Sequence, residues 1–310
     1  LFILINQGKY FMGKTTLIIL ICMACSIVCG VSSATWSDDF NDPMDLLTNN
    51  TGPWLVLGAN NQDERADVIA TDQGKLTIMP TIFPQNAWFE DYYGPLVYQT
   101  VTGNFSVATR LRVVSDTDDN SPPNNGYNAG GFVIRDDGGT HQNDENWVMY
   151  NMGGQGMNGV NYAREVKKTV QSVSNLFLTQ QHELETYLLV CRIADSFYFY
   201  YWATAIEDWR EEQYYNQFDV DGTITSTWHN ATNVTPELTV PGPQQASPLF
   251  FNHSGMPETV QVGIMGHTWS NGDTRADFDF VHFSPQTPTQ KSECLESFEH
   301  IDVIFRDGLE

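Results

Sequence analysis

From residue 105 to residue 113 the chain alternates without a break. Phe105, Val107, Thr109, Leu111 and Val113 fall on one side of an extended segment, and Ser106, Ala108, Arg110 and Arg112 on the other. A strand with one buried face requires a period of two residues, whereas a helix would scatter these apolar residues around its surface. Residues 88–99 and 130–137 flank the run with further strand-like sequence, so residues 88–137 are expected to form three antiparallel strands. A second constraint comes from residues 187–193 and 197–203, which read as a hairpin turning on Ala194, Asp195 and Ser196. Its second arm is aromatic on both sides, with Phe197, Phe199 and Tyr201 opposing Tyr198, Tyr200 and Trp202. Either both faces are covered or one of them binds something flat.

Shorter strands are expected at residues 36–40, 74–78, 147–151, 162–164, 168–173, 260–266 and 275–283, separated by turn-forming sequence. In the last of these Phe278 and Phe280 are expected to point together into the core, leaving Asp277 and Asp279 outward. Residues 207–250 are turn-rich and read as an excursion from the sheet. No linker, repeat or charge block divides residues 35–287, which fit one large all-β domain. Residues 288–310 read as a tail for which the pattern offers no partner.

Residues 1–34 stand apart. Met12-Gly13-Lys14 opens a secretory signal with an apolar core at residues 17–28 and a small-residue cleavage site at Ser32-Ser33-Ala34. The apolar run is shorter than the roughly 20 residues of a membrane-spanning helix. The expectation is a secreted chain with no membrane contact after cleavage, residues 1–11 being an extension upstream of Met12. The whole chain has a net charge of −23, and loss of Lys9 and Lys14 takes the remainder to −25. Such a surface is a poor partner for nucleic acid and for anionic membranes. Cys22, Cys25 and Cys29 fall within the signal. Cys191 and Cys294 are left either to form the disulfide that export invites or to stay apart as a core thiol and a tail thiol. Sequons at Asn49, Asn104, Asn230, Asn233 and Asn252 suit a glycosylated surface.

Retaining glycosidases hold two carboxyl groups about 5 to 5.5 Å apart. The same-face pairs in this chain, Glu183 with Glu185 and Asp277 with Asp279, fall in a polar turn and on an outward face, so hydrolysis is not expected. Sugar recognition needs aromatic faces to stack on a pyranose and polar groups for its hydroxyls. Trp88, Tyr92, Tyr93, Trp147, Tyr150 and Trp269 fall in or beside loops and are the candidate platform. Arg135 and Arg164, with Arg110, Arg112 and Arg192, lie in predicted strands. They either pair with acids across strands or converge on an acidic glycan, since guanidinium grips carboxylate bidentately.

The aromatic run Trp88-Phe89-Glu90-Asp91-Tyr92-Tyr93, a polar turn, and then Ala129-Gly130-Gly131-Phe132-Val133-Ile134-Arg135-Asp136-Asp137 resemble the concanavalin A-like jelly rolls of the lectin and glucanase superfamily. The nearest branch is that of β-xylosidase C-terminal and "regulation of enolase"-type domains. The resemblance covers residues 36–283 and implies an all-β sandwich of two antiparallel sheets. It implies a polysaccharide or glycan partner, an acidic one if the arginines converge. It also implies a structural calcium between the opening and closing strands, with Asp39 and Asp279 as ligands; alternatively both merely begin and decorate strands. The expected function is a lectin-like carbohydrate-binding domain without catalysis of its own. Two other readings stay open: a glycoside hydrolase or polysaccharide lyase with an unfamiliar carboxylate arrangement, and a structural or adhesion protein of an extracellular coat.

Overall fold

A computed structural model of the chain describes residues 35–48, 52–57, 66–81, 88, 94–123, 126–139, 143–154, 162–181, 183–216, 245–248, 250–269 and 273–299. In chain order the strands are β1 (Leu55–Leu57), β2 (Ala66–Asp72), β3 (Lys75–Pro80), β4 (Leu96–Thr102), β5 (Phe105–Val114), β6 (Asn128–Arg135), β7 (Trp147–Gly154), β8 (Tyr162–Val170), β9 (Val173–Gln180), β10 (Glu185–Ile193), β11 (Ser196–Ala203), β12 (Asp208–Glu211), β13 (Gln213–Asn216), β14 (Gln245–Pro248), β15 (Phe250–Asn252), β16 (Thr259–His267) and β17 (Arg275–Phe283). A seven-stranded sheet runs β1-β4-β16-β6-β7-β8-β9; an eight-stranded sheet runs β12-β11-β10-β5-β17-β3-β2, with β15 as its eighth strand paired to β11. Neighbouring strands are antiparallel throughout.

The main core lies between the sheets. Phe132, Ile134, Val148 and Ile264 from one sheet meet Val107, Leu111, Leu188, Phe199 and Phe278 from the other. Each such side chain contributes about 1.5 to 3 kcal/mol by leaving water. Alternation along β5 is as the sequence requires, with Phe105, Val107, Leu111 and Val113 in this core and Ala108 on the opposite face. The strands of residues 88–137 do not share a sheet, however. β4 and β6 flank β16 in the seven-stranded sheet, while β5 lies in the other. Alternation shows which face of a strand is buried and leaves its partners unspecified.

The hairpin β10–β11 turns on Ala194 and Asp195, with Ile193 opposite Ser196 and a left-handed φ of 51° at Ala194. Both faces of β11 are covered. Phe197 and Phe199 enter the main core, while Tyr200 and Trp202 join a second cluster on the outer side of the eight-stranded sheet. Trp209 and Phe298 close that cluster, and the Trp209 indole donates a 2.8 Å hydrogen bond to the Phe298 carbonyl. Cys191 and Cys294 are joined by a disulfide. The segment 288–299 therefore has a partner that the sequence pattern did not offer, the aromatic outer face of β10 and β11.

The opening segment lies beside the closing strand; among the described residues its one backbone bridge there is Asp38 to Val281, with Ser37 and Asp39 meeting the strand through their side chains. The Asp38 carboxylate accepts from the Phe40 N–H at 2.8 Å, and Phe40 takes φ 54°, which ends the extended run. The register of β17 against β5 shifts between Phe278 and Phe280. The bulge at Asp279 sends Phe278 into the main core and Phe280 to the outer cluster, in place of the common direction expected from simple alternation.

Candidate functional site

The outer face of the seven-stranded sheet is built by the residues that alternate with its core side chains. Along β7, Val148, Tyr150 and Met152 point to the main core, so Trp147, Met149 and Asn151 point away from it. The ladders set what lies beside them. Asn151 sits between Gly131 of β6 and Glu165 of β8, and Met149 between Val133 and Lys167. One row further, His267 of β16 is followed by Ala129, Gly153 and Ala163. His267 and Asn151 thus flank a floor of very small residues two strands wide, about 10 Å across. Gly153 is required there: a Cβ would lie 2.2 Å from the Asn128 carbonyl oxygen.

Every one of these residues is buried. Trp88 lies across the face. Its backbone N–H donates to His267 Nδ1 at 3.3 Å, its carbonyl accepts from Lys167 Nζ at 2.9 Å, and its ring meets Trp147 edge-on at 5.9 Å. Because Nδ1 of His267 accepts, its proton is on Nε2. Burial, with a smaller push from Lys167, lowers this histidine to about 3, so it is neutral at ordinary pH. The Nε2 of His267, the indole nitrogen of Trp147 and both amide atoms of Asn151 are buried and make no hydrogen bond among the described residues. Leaving a buried polar group unmatched costs about 1 to 3 kcal/mol. Several such groups gathered on one face call for an explanation.

The charged groups of the face are matched. Lys167 Nζ lies 2.7 Å from Glu165 Oε1. Arg135 binds both oxygens of Glu145, at 2.9 and 2.8 Å, and also the Gly139 carbonyl and Gln261.

The expected platform residues are divided by the fold. Trp88, Trp147 and Arg135 come together at this face, but Trp147 is fully buried within β7 instead of lying beside a loop. Tyr150 and Arg164 turn the other way, into the sandwich, where both engage Glu212. Trp269 is half-buried at the end of β16, its ring 6.1 Å from that of Tyr127. Tyr92 and Tyr93 lie outside the described residues. Asn151, Glu165, Lys167, His267 and Glu212 were not singled out by the sequence. The same-face pair Glu165 and Lys167 was the available signal, hidden because residues 162–164 and 168–173 read as separate strands when β8 runs unbroken through both charges.

Asp39 and Asp279 do not fit a calcium site. Asp279 is held by two cations, Lys75 at 3.2 Å and Arg110 at 3.0 Å, and Asp39 accepts from His282 Nε2 at 2.5 Å. Among the described residues no three or more His, Cys, Asp or Glu side chains gather as a metal site. Asp277 is likewise engaged, by Thr77 and Arg275.

No protein-family model matches the chain, and no curated protein is similar in sequence. Solved structures do match in shape. The GH43 BlXynB protein from Bacillus licheniformis aligns over 82% of this chain and 40% of its own, at 12% identity and a TM-score of 0.50. The fold is a jelly-roll β-sandwich of two antiparallel sheets. The chain spans about two fifths of that GH43 protein. Weaker likenesses extend to a functionally unknown protein from Saccharomyces cerevisiae (12% identity, 76% of this chain, 97% of that one, TM-score 0.47). The seed lectin of Lotus tetragonolobus is also similar (11% identity, 78% and 97%, TM-score 0.43). At such identities the likeness is one of fold.

Proposed function

We propose that this jelly roll is a secreted carbohydrate-binding module that holds its ligand on the outer face of the seven-stranded sheet. One observation carries the reading: Asn151, His267 and Trp147 present unmatched, buried polar atoms around a floor of glycine and alanine. An amide that both donates and accepts, two N–H donors and two indole rings are what a ring of hydroxyls with an apolar face calls for. The shared fold with a glycoside hydrolase makes carbohydrate the ligand class to test first. Export is supported by the apolar stretch at residues 17–28 and by the Cys191–Cys294 disulfide, which suits an oxidising compartment. The binding role is favoured over hydrolysis because Glu165 and Glu145 are each tied to a cation and do not form a free pair.

The test is affinity electrophoresis of the intact chain through gels containing a panel of polysaccharides, with Asn151→Ala alongside. Retardation in one polymer, lost in the variant while its melting temperature is kept, supports the reading. Retardation that survives Asn151→Ala removes this face as the site. Release of reducing ends from the retarding polymer replaces binding with hydrolysis, and no retardation anywhere favours a coat or adhesion role.

A further inference from the structure

Resting on the carbohydrate reading, we infer that the outer face selects an uncharged glycan and rejects uronate, sulfate and phosphate groups. Among the described residues the face sets two cations against two anions, Arg135 on Glu145 and Lys167 on Glu165. Arg135 commits Nε and Nη2 to the two oxygens of Glu145 at 2.9 and 2.8 Å, Nη2 also to the Gly139 carbonyl at 2.9 Å, and Nη1 to Gln261 at 3.2 Å. Lys167 Nζ is shared between Glu165 at 2.7 Å and the Trp88 carbonyl at 2.9 Å. Arg164, the other arginine that sequence placed near a ligand, is inside the sandwich on Glu212. Among the described residues, the unmatched groups of this face are neutral: the Trp147 and His267 N–H groups and the Asn151 amide.

A sugar hydroxyl satisfies such groups because it gives one hydrogen bond and takes others. A carboxylate or sulfate brings a full charge into a site whose cations are already neutralised. Drawing Lys167 onto the new anion strips Glu165, itself completely buried, of its counter-charge, and an unpaired buried ion is strongly disfavoured. The net charge of −23 repels an acidic polymer at long range as well. That second effect is screened by salt, because the Debye length falls to about 3 Å at 1 M, whereas the cost inside the buried face is screened far less.

The experiment pairs each neutral polysaccharide of the panel with its own carboxymethylated derivative, and measures affinity for the intact chain at low salt and at 1 M sodium chloride. The expected result is binding to a neutral polymer and at least tenfold weaker binding to its derivative, with the gap persisting in high salt. Glu165→Gln, which removes the carboxylate 2.7 Å from Lys167 Nζ, is expected to narrow that gap. Equal or tighter binding of the derivative, or a gap that vanishes in salt, overturns the inference while leaving the sugar site standing. No binding to any member of the panel overturns the carbohydrate reading, and this inference with it.

Discussion

Cys191, fully buried in the middle of β10, is bonded to Cys294 of the C-terminal segment, 103 residues further along the chain, with Cα atoms 5.7 Å apart. The bond pins residues 288–299 onto an aromatic face that would otherwise meet water. Closing a loop of this length restricts the unfolded chain, an effect usually worth 2 to 4 kcal/mol, about 4.7 by loop entropy alone. The double variant Cys191→Ala, Cys294→Ala is expected to lose about 2 to 4 kcal/mol in urea unfolding. It is also expected to become sensitive to proteolysis just before residue 288. Unchanged stability would mean that Phe298 and the Trp209 hydrogen bond hold the segment by themselves.

Inside the sandwich, Glu212 accepts from the Tyr150 hydroxyl at 2.8 Å and from Arg164 at 2.8 and 3.2 Å, and the Arg164 guanidinium lies 3.6 Å from the centre of the Tyr201 ring. Burial works against the charge on Arg164, but Glu212 and Tyr150 outweigh it and its pKa ends above the ordinary value. Glu212→Gln leaves Arg164 charged and buried without a counter-ion, and is expected to cost about 3 to 5 kcal/mol. The combined change Arg164→Met, Glu212→Leu should recover much of that loss, since a matched apolar pair replaces a buried ion pair at little net cost. Urea titration of the three proteins decides it, and a double variant no better than Glu212→Gln alone would show that packing geometry, not charge, is what matters there.

The neutral state of His267 makes stability depend on pH. The unfolded chain takes up a proton near pH 6.5, but the folded chain resists it down to about pH 3. Above pH 6.5 both states are neutral and there is no penalty. As pH falls through the window from 6.5 to about 3, stability declines by up to about 1.4 kcal/mol per unit from this residue. His253 is lowered too, chiefly by burial, and adds to the same trend. His267→Gln is expected to flatten the curve of unfolding free energy against pH between 6.5 and 5, where the parent loses about 2 kcal/mol through this group. Parallel curves for parent and variant would mean that His267 takes up its proton equally readily in the folded and unfolded chain.

The hairpin and the alternation of β5 were legible because each is a local pattern with a single solution. The faces of β6 and β7 were not, because all eight residues of each strand are buried and alternation no longer tells inside from outside. Hence Tyr150 and Trp147, three residues apart on one strand, were placed on one platform although they face opposite ways. Residues 162–164 and 168–173 read as separate strands with Glu165 and Lys167 between them, and nothing local says that this pair neutralises itself beneath Trp88. Asn151 leads into Gly153 and Gly154, a context that ordinarily marks a turn, and its role depends on Gly131 and His267 brought alongside from distant parts of the chain.

Two sequons within the described residues differ in what their amides already do. Asn104 is half-buried at the junction of two segments: its Nδ2 donates to the Pro288 carbonyl at 2.8 Å and its Oδ1 accepts from the Ala194 N–H at 2.8 Å, tying the C-terminal segment to the hairpin turn. Asn252 is exposed, its Oδ1 accepts from Ser196, and its Nδ2 makes no hydrogen bond among the described residues. A glycan attached at Asn104 would have to share its nitrogen with the Pro288 contact in a confined position, whereas one at Asn252 would extend into water. Expressed through a eukaryotic secretory pathway, the folded protein should therefore carry far more glycan on Asn252 than on Asn104. Enzymatic deglycosylation in heavy-oxygen water followed by peptide mass analysis reads the two sites separately. Asn104→Ala should in addition loosen residues 288–299, at about 1 to 3 kcal/mol for the polar groups left unmatched. Equal occupancy of the two sites in protein that melts normally would show that the Asn104 clamp does not form in solution.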